Sequence, residues 1–442
     1  MTVDVDARLP ETRRRAGLIT LVSAHGVSTL GEAMTIVAVP WFVLQTTGSI
    51  AQTGAVVAVA GIAAAVTGFL AGPFVDRIGF KRFAVLGYVI SGSAVGAVVL
   101  FHAAGILTFP ALLLLVLLAT GADAPRMVAM SGLVPRLARD AGTPLERANS
   151  AFRATSNLSA LVGPALGGVA AAYVGAENVL LFDAAACLCA AALVAALIRQ
   201  PLPAPAPAGP AAAPAGPATA PAKPAAGPAP AANADRYLSR LREGVRTLRG
   251  APLLRWVTTI STAQNLLDSA MSGVILVSIA HFWFDDAASF GAMVTAIGLG
   301  ALAGTLGYGA VGHRLPRRPV FIGTGFAIAV PVMVLASAPP FWAVMLAMAL
   351  FGLVMAPRGP LVVSALQEAV PREIYGRVVG AIRIVAAGAA PIGIGLAALA
   401  VATVGVQAAV TGIGACYLAI GLVCWRVRAL RHLDTVRGPV KF

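Results

Sequence analysis

Charge is scarce in this sequence. Only 11% of its 442 residues are Asp, Glu, Lys or Arg, against 58% hydrophobic, and the mean hydropathy is +0.85. A water-soluble chain of this length needs far more charge to cover its surface. Acids are scarcer than bases, 18 against 32, which sets the formal charge at +14. Cysteine is also scarce. Cys187, Cys189, Cys416 and Cys424 all lie in apolar segments, so a disulfide framework or a thiolate metal site has no support. His25, His102, His281, His313 and His432 are scattered and form no ligand cluster. No Gly-x4-Gly-Lys-Ser/Thr phosphate loop occurs, which argues against ATP-driven pumping by this chain. No nucleophile, metal set or acid–base pair converges at one place, so the reading is not an enzyme, with no cofactor and no metal.

What is present is a series of apolar runs of about 20 residues or more, the length needed to cross roughly 30 Å of hydrocarbon. Twelve such spans are readable, near 16–45, 50–75, 83–103, 106–134, 146–174, 178–198, 253–283, 288–312, 319–337, 341–367, 374–403 and 407–427. The fold class is therefore an all-α polytopic membrane protein, with the lipid bilayer as its first partner. A basic chain can suggest nucleic acid, but here the bases recur in every second loop, so no nucleic-acid partner is expected. Arg77/Lys81/Arg82, Arg136/Arg139/Arg147, Arg314/Arg317/Arg318, Arg372/Arg377 and Arg426/Arg428/Arg431 alternate with turns that hold no Lys or Arg. By the positive-inside pattern, both termini are cytoplasmic and the location is the plasma (inner) membrane. Arg13-Arg14-Arg15 resembles a signal n-region, but the run behind it continues past Pro40 without a cleavage site and reads as a retained first span.

The chain divides into a cytoplasmic tail (1–15), a six-helix bundle (16–198), a cytoplasmic linker (199–250), a second six-helix bundle (251–428) and a tail (429–442). The linker is nearly all Pro and Ala to about residue 234, a composition that favours extended polyproline conformation. Behind it, Arg236, Arg240, Arg242, Arg246 and Arg249 interleave with Leu238, Leu241, Val245 and Leu248. That spacing suits a helix lying on an anionic leaflet, with a solvated basic linker as the plainer reading. The two bundles repeat each other. Ala124-Pro125-Arg126 recurs as Ala356-Pro357-Arg358, and Arg147 and Arg153 recur as Arg377 and Arg383, at offsets between 230 and 232. Parallel six-span repeats with a site between the halves form a transporter architecture.

Ionisable groups at membrane depth are costly, so each is a functional candidate. Glu32 in span 1 and Asp268 in span 7 occupy nearly equivalent places in the two halves. Either can exchange a proton or meet a cationic substrate, or can simply be neutralised by a base. Asp123 and Arg126, three apart on one helix, are expected to pair locally. Asn157, Gln264 and Asn265 add hydrogen-bonding groups to the candidate cavity helices, and helix–helix contacts account for them equally well. Arg153 and Arg383 fall within the first two turns of spans 5 and 11, where they can snorkel to the surface or pair at an inner gate. Gly163, Pro164, Gly167 and Gly168 in span 5 allow close helix approach and a bend.

The charged joint between spans 2 and 3, Gly72-x3-Asp76-Arg77-x-Gly79-x-Lys81-Arg82, resembles the loop 2–3 signature of the major facilitator superfamily (MFS) at every fixed position. With twelve spans and a six-plus-six repeat, the resemblance covers essentially the whole chain. Shorter strings resemble the macrolide and enterobactin exporters of that superfamily: Val39-Pro40-Trp41 with Thr47-Gly48-Ser49, Leu145-Glu-Arg-Ala-Asn149-Ser150, and Gln367-x2-Val370-Pro371 with Gly376-Arg377-Val378. The Gly163-Pro164-x2-Gly167-Gly168 string is similar to an antiporter signature, although two upstream glycines of that pattern are Ser150 and Ser159 here.

The resemblance implies a monomeric secondary transporter, exporting a small amphiphilic compound (a drug, antibiotic or siderophore-like metabolite) by proton antiport with alternating access. An importer or uniport facilitator is the rival within the class, and a non-transporting receptor or scaffold the rival outside it. It also implies that Glu32 and Asp268 face the central cavity. Asp76 would then face the start of span 11 as part of an inner gate with Gly72, Arg77, Gly79, Lys81, Arg82, Arg153, Arg377 and Arg383.

Overall fold

The computed structural model of the chain describes residues 11–198, 250–370 and 372–433; within them, side chains at 11–14, 69, 72–74, 76–77, 313, 369, 372–377, 381, 383–384, 387 and 431–433 are outside the description. The Pro/Ala linker and the basic amphipathic segment expected at 236–249 lie outside the described residues.

The first half holds α1 (Glu11–Thr47), α2 (Ile50–Ile78), α3 (Phe80–Ala103), α4 (Phe109–Asp140), α5 (Leu145–Val174) and α6 (Ala176–Leu197). The second holds α7 (Pro252–Phe284), α8 (Ala287–Val311), α9 (Arg317–Leu335) and α10 (Phe341–Glu368). A last continuous segment, Arg372–Arg426, is broken by non-helical backbone at Gly405, which separates α11 (372–404) from α12 (406–426). The described architecture is all-α, and eleven helical segments are long and apolar enough to span, the eleventh carrying two crossings.

Turn chemistry sets these boundaries. Gly175 (φ 92°) ends α5 and Gly405 (φ 83°) ends α11, each following a Val, so the repeat extends to a backbone conformation that only glycine adopts at little cost. Gly79 (φ 88°) does the same between α2 and α3. At the end far from the termini, Ser49 caps α2 through the Gln52 amide, and Asp286 caps α8 through Ala288 and Ser289 at 3.0 and 3.1 Å. Such caps each contribute about 1 kcal/mol.

Packing is asymmetric along the bundle. At the end far from the termini, one apolar core runs through both halves, joining Val37, Trp41 and Val56 to Val274, Ile275, Phe290, Ile394 and Val401. At the end that carries the termini the core splits in two. One part contains only first-half residues (Leu21, Tyr88, Met130, Leu133, Val194), the other only second-half residues (Val257, Phe321, Leu361, Cys424). The halves are thus closed against each other at the far end.

Small residues make that closure possible, because van der Waals fit rather than water expulsion drives helix association in lipid. A methyl at Gly168 of α5 would stand 2.8 Å from both the Ala287 carbonyl oxygen and the Gly291 Cα of α8. A methyl at Gly54 of α2 would stand 2.6 Å from Ala398 of α11. Gly163 and Gly167 instead face Ala33 and Met34 of α1, within the same half. The Gly-Pro string of α5 therefore serves two contacts, one inside its bundle and one between bundles.

Candidate functional site

Arg126 follows Pro125 in α4 and is fully buried. Its Nη2 donates to Glu32 Oε1 of α1 and, at 3.3 Å, to Asp123 Oδ1 one turn back. The expected local pair exists, but the closer partner comes from another helix. The guanidinium also lies 4.4 Å from the centroid of the Tyr88 ring of α3. Gly87 leaves it room, since a methyl there would stand 2.8 Å from Arg126 Cβ. Nε and Nη1 have no acceptor among the described residues. A buried arginine is tolerated only when paired, and removing one partner of such a pair is costly.

A third acid completes the group. Asp183 of α6 is 2% exposed, with the Cys187 thiol 3.9 Å from its Oδ1. It fits because α1 carries Gly31 opposite: a methyl there would overlap Asp183 Oδ1 and stand 3.1 Å from its Cα. Sequence reasoning passed over Asp183, although the signal that singled out Glu32, an ionisable residue within an apolar run, applies equally to it.

Glu32, Asp123 and Asp183 are the charged residues lining a cavity of about 600 Å³, a volume within the usual range for small-molecule sites. The rest of the wall is apolar or hydroxylic: Ile36, Val39 and Phe42 from α1, Val57 from α2, Val95 from α3, Val116 and Thr120 from α4, and Ser156 from α5. Ser269, Ser272 and Gly273 of α7 and Ile394 of α11 bring in the second half. Here α7 departs from regular geometry, with π-helical turns at Met271–Ile275 and Ala280–Phe284. Such turns are frequent at functional sites.

The second half repeats the pair without the surplus acids. Arg358 Nη2 of α10 donates to Asp268 Oδ2 of α7 at 2.5 Å, and the Tyr417 hydroxyl of α12 donates to Asp268 Oδ1 at 2.5 Å. Three residues before Arg358 stands Met355, where the first half has Asp123. The cavity wall next to Asp268 is made by Ser269 and Ser272 rather than by Asp268 itself.

The remaining candidates are dispersed. Gln264 is buried, and Asn265 Nδ2 donates to the Ala386 carbonyl at 2.9 Å, tying α7 to α11. Asn157 and Arg153 are exposed on α5. Lys81 Nζ donates to the Ala195 carbonyl at 2.7 Å, in the last turn of α6, where a cation complements the helix dipole. Arg82 is exposed. Gly72, Asp76, Arg77, Arg377 and Arg383 lie where side-chain surroundings are outside the description, so the expected gate between Asp76 and the start of α11 falls there too.

Comparison with known proteins places this arrangement. Two curated relatives, each called a multidrug efflux pump Tap, match nearly end to end. That of Mycolicibacterium fortuitum is 28% identical over 432 residues, covering 96% of this chain and 99% of its own. That of Mycobacterium tuberculosis is 28% identical over 426 residues, covering 95% of each. Among solved structures, the nucleoside transporter NupG superposes with a TM-score of 0.71 at 13% identity, covering 93% of this chain and all of its own. A D-xylose-proton symporter does so at 0.63 and 15%, covering 94% and 98%. A bacterial homologue of the lysosomal transporter Spinster, in an inward-facing unoccupied conformation, does so at 0.65 and 12%, covering 97% and 99%. At these identities the structures establish the fold. The model of the Major Facilitator Superfamily matches residues 21–264, and with that match, the twelve-helix fold and the repeated acid–arginine pairs, this chain belongs to that superfamily.

Proposed function

We propose that the protein is a secondary active exporter of small amphiphilic compounds, driven by proton antiport. The observation that carries this reading is the cavity whose wall is mostly apolar, with some hydroxyls and three carboxyl groups, one of which, Glu32, is held by the buried Arg126. An apolar wall accepts varied hydrophobic cargo, and a carboxyl at depth is the group that can exchange a proton for it. The end-to-end likeness to efflux pumps favours export over import.

In this reading the end carrying the termini is cytoplasmic, because the basic loops cluster there. The shared core at the far end and the split core at the near end then describe an inward-open conformation. A proton reaching Glu32 weakens its pairing with Arg126. Coupling follows only if that change favours one conformation over the other. The joint at 72–82, with Asp76 against the start of α11, is the lock of the opposite conformation. Asp268, fully engaged by Arg358 and Tyr417, holds the second bundle together and is the lesser coupling candidate.

The test is Glu32→Gln in inverted membrane vesicles with an imposed pH gradient and ethidium as cargo. Gradient-driven accumulation is expected to vanish while membrane insertion is retained. Accumulation at the wild-type rate would remove Glu32 from the coupling role.

A further inference from the structure

The two halves carry the same acid–arginine pair but not the same charge. In the second half one carboxyl, Asp268, meets one guanidinium, Arg358, and the third partner is a phenol. In the first half three carboxyls share one guanidinium: Arg126 bridges Glu32 and Asp123, and Asp183 is left with a thiol. If all were ionised, the first cluster would hold two uncompensated negative charges beside an apolar cavity, which burial does not permit.

From this geometry we propose that Asp183 is a second proton-exchange residue, distinct from Glu32, serving the same cavity; the proposal rests on the exporter reading above. Asp183 lines the cavity and is 2% exposed. Facing it are Glu32 from α1, Asp123 and Arg126 from α4, and Cys187 on its own helix. Tyr88 of α3 stands on Arg126, and the α5 contribution to the wall, Ser156 and Ala160, is uncharged. Arg126 is already committed to two acids through Nη2, so the ion pairs described leave Asp183 without a cation.

The space it occupies is built for it. Gly31 precedes Glu32, and any side chain there would displace the Asp183 carboxyl. In the second half Leu267 precedes Asp268 and is itself buried. A carboxyl that is not clamped by a base gains and loses its proton with little rearrangement of the protein. It can also receive a cationic head group when the proton leaves. Glu32 would then report the conformation through Arg126, and Asp183 would carry the second proton or the charge of the cargo.

The experiment uses the full chain in proteoliposomes. The first readout needs no transport: dicyclohexylcarbodiimide reacts with protonated carboxyls in apolar surroundings, and peptide mass mapping locates the product. Modification of Asp183 is expected in the wild type and in Glu32→Gln alike, falling several-fold when tetraphenylphosphonium is added. The second readout is pH-gradient-driven accumulation of that same cation, which Asp183→Asn should reduce at least tenfold and Asp183→Glu should restore. Asp183→Asn should insert into the membrane and keep the wild-type melting temperature to within a few degrees in detergent, which shows that the variant is folded. An unmodified Asp183, or an Asp183→Asn that accumulates the cation like the wild type, overturns the proposal. If Asp183 behaves as expected but Glu32→Gln couples normally, the role given to Glu32 fails and that of Asp183 stands.

Discussion

Replacing Gly291 by Ala tests the closure between the halves. In the present conformation a methyl at Gly291 would overlap the Pro164 carbonyl oxygen and stand 2.9 Å from Gly168 Cα and 3.1 Å from Gly168 N. Every one of these neighbours is backbone, so no side chain can rotate away. Overpacking of this kind costs about 1–3 kcal/mol. If α5 and α8 touch this closely only while the far end is shut, the whole cost falls on the shut conformation. At 1.4 kcal/mol per tenfold, that moves the balance toward the far-open conformation by roughly 5- to 150-fold. Spin labels at Ala51→Cys and Asp285→Cys, on the far ends of α2 and α7, would read the change as a longer distance population. Cys189 and Cys416 are exposed and would be replaced by Ser. A distance distribution identical to that of the protein with Gly291 would refute the reasoning. It would mean either that α5 and α8 stay together throughout the cycle or that the helices absorb the methyl by sliding.

Two further substitutions probe the paired charges. Arg126→Met leaves Glu32 and Asp123 without their base and should destabilise the detergent-solubilised protein by about 3–5 kcal/mol, seen as a lowered melting temperature. Adding Glu32→Gln to Arg126→Met should recover part of that loss, and a strictly additive double variant would argue against a pair. Tyr417→Phe removes the hydroxyl that donates to Asp268 and should cost about 1.5–3 kcal/mol in the same assay. Because Asp268 keeps Arg358, transport driven by a pH gradient should continue; its loss would raise Asp268 to a coupling role.

Much of the architecture is legible in the linear pattern because lipid imposes simple rules. A span must satisfy its backbone internally and be apolar for about 20 residues, so helices are visible as runs. The repeat was readable from Ala-Pro-Arg in both halves, and the structure extends it to the glycine of positive φ before each last helix, Gly175 and Gly405. Pairing was less legible. Local spacing pointed Arg126 at Asp123, whereas the fold brings Glu32, 94 positions away, closer. Asn157 has the composition of a cavity residue but is exposed on α5, because a helix places neighbours about 100° apart and the adjacent Ser156 reaches the wall in its stead.

By itself the sequence determined that this is a twelve-span, two-bundle membrane protein with a charged joint and a few acids at depth. Each of those features depends on composition and spacing along the chain, and bilayer thickness converts them directly into structure. Only the tertiary structure decided which acids share a base, that Asp183 belongs with Glu32 and Asp123 while Asp268 stands in a balanced pair, and which end of the bundle is shut. Those outcomes depend on helix rotation and on approaches made possible at single glycines such as Gly31, Gly168 and Gly291. A glycine in a transmembrane run reads the same whether it faces lipid or a neighbouring backbone, and packing alone distinguishes the two.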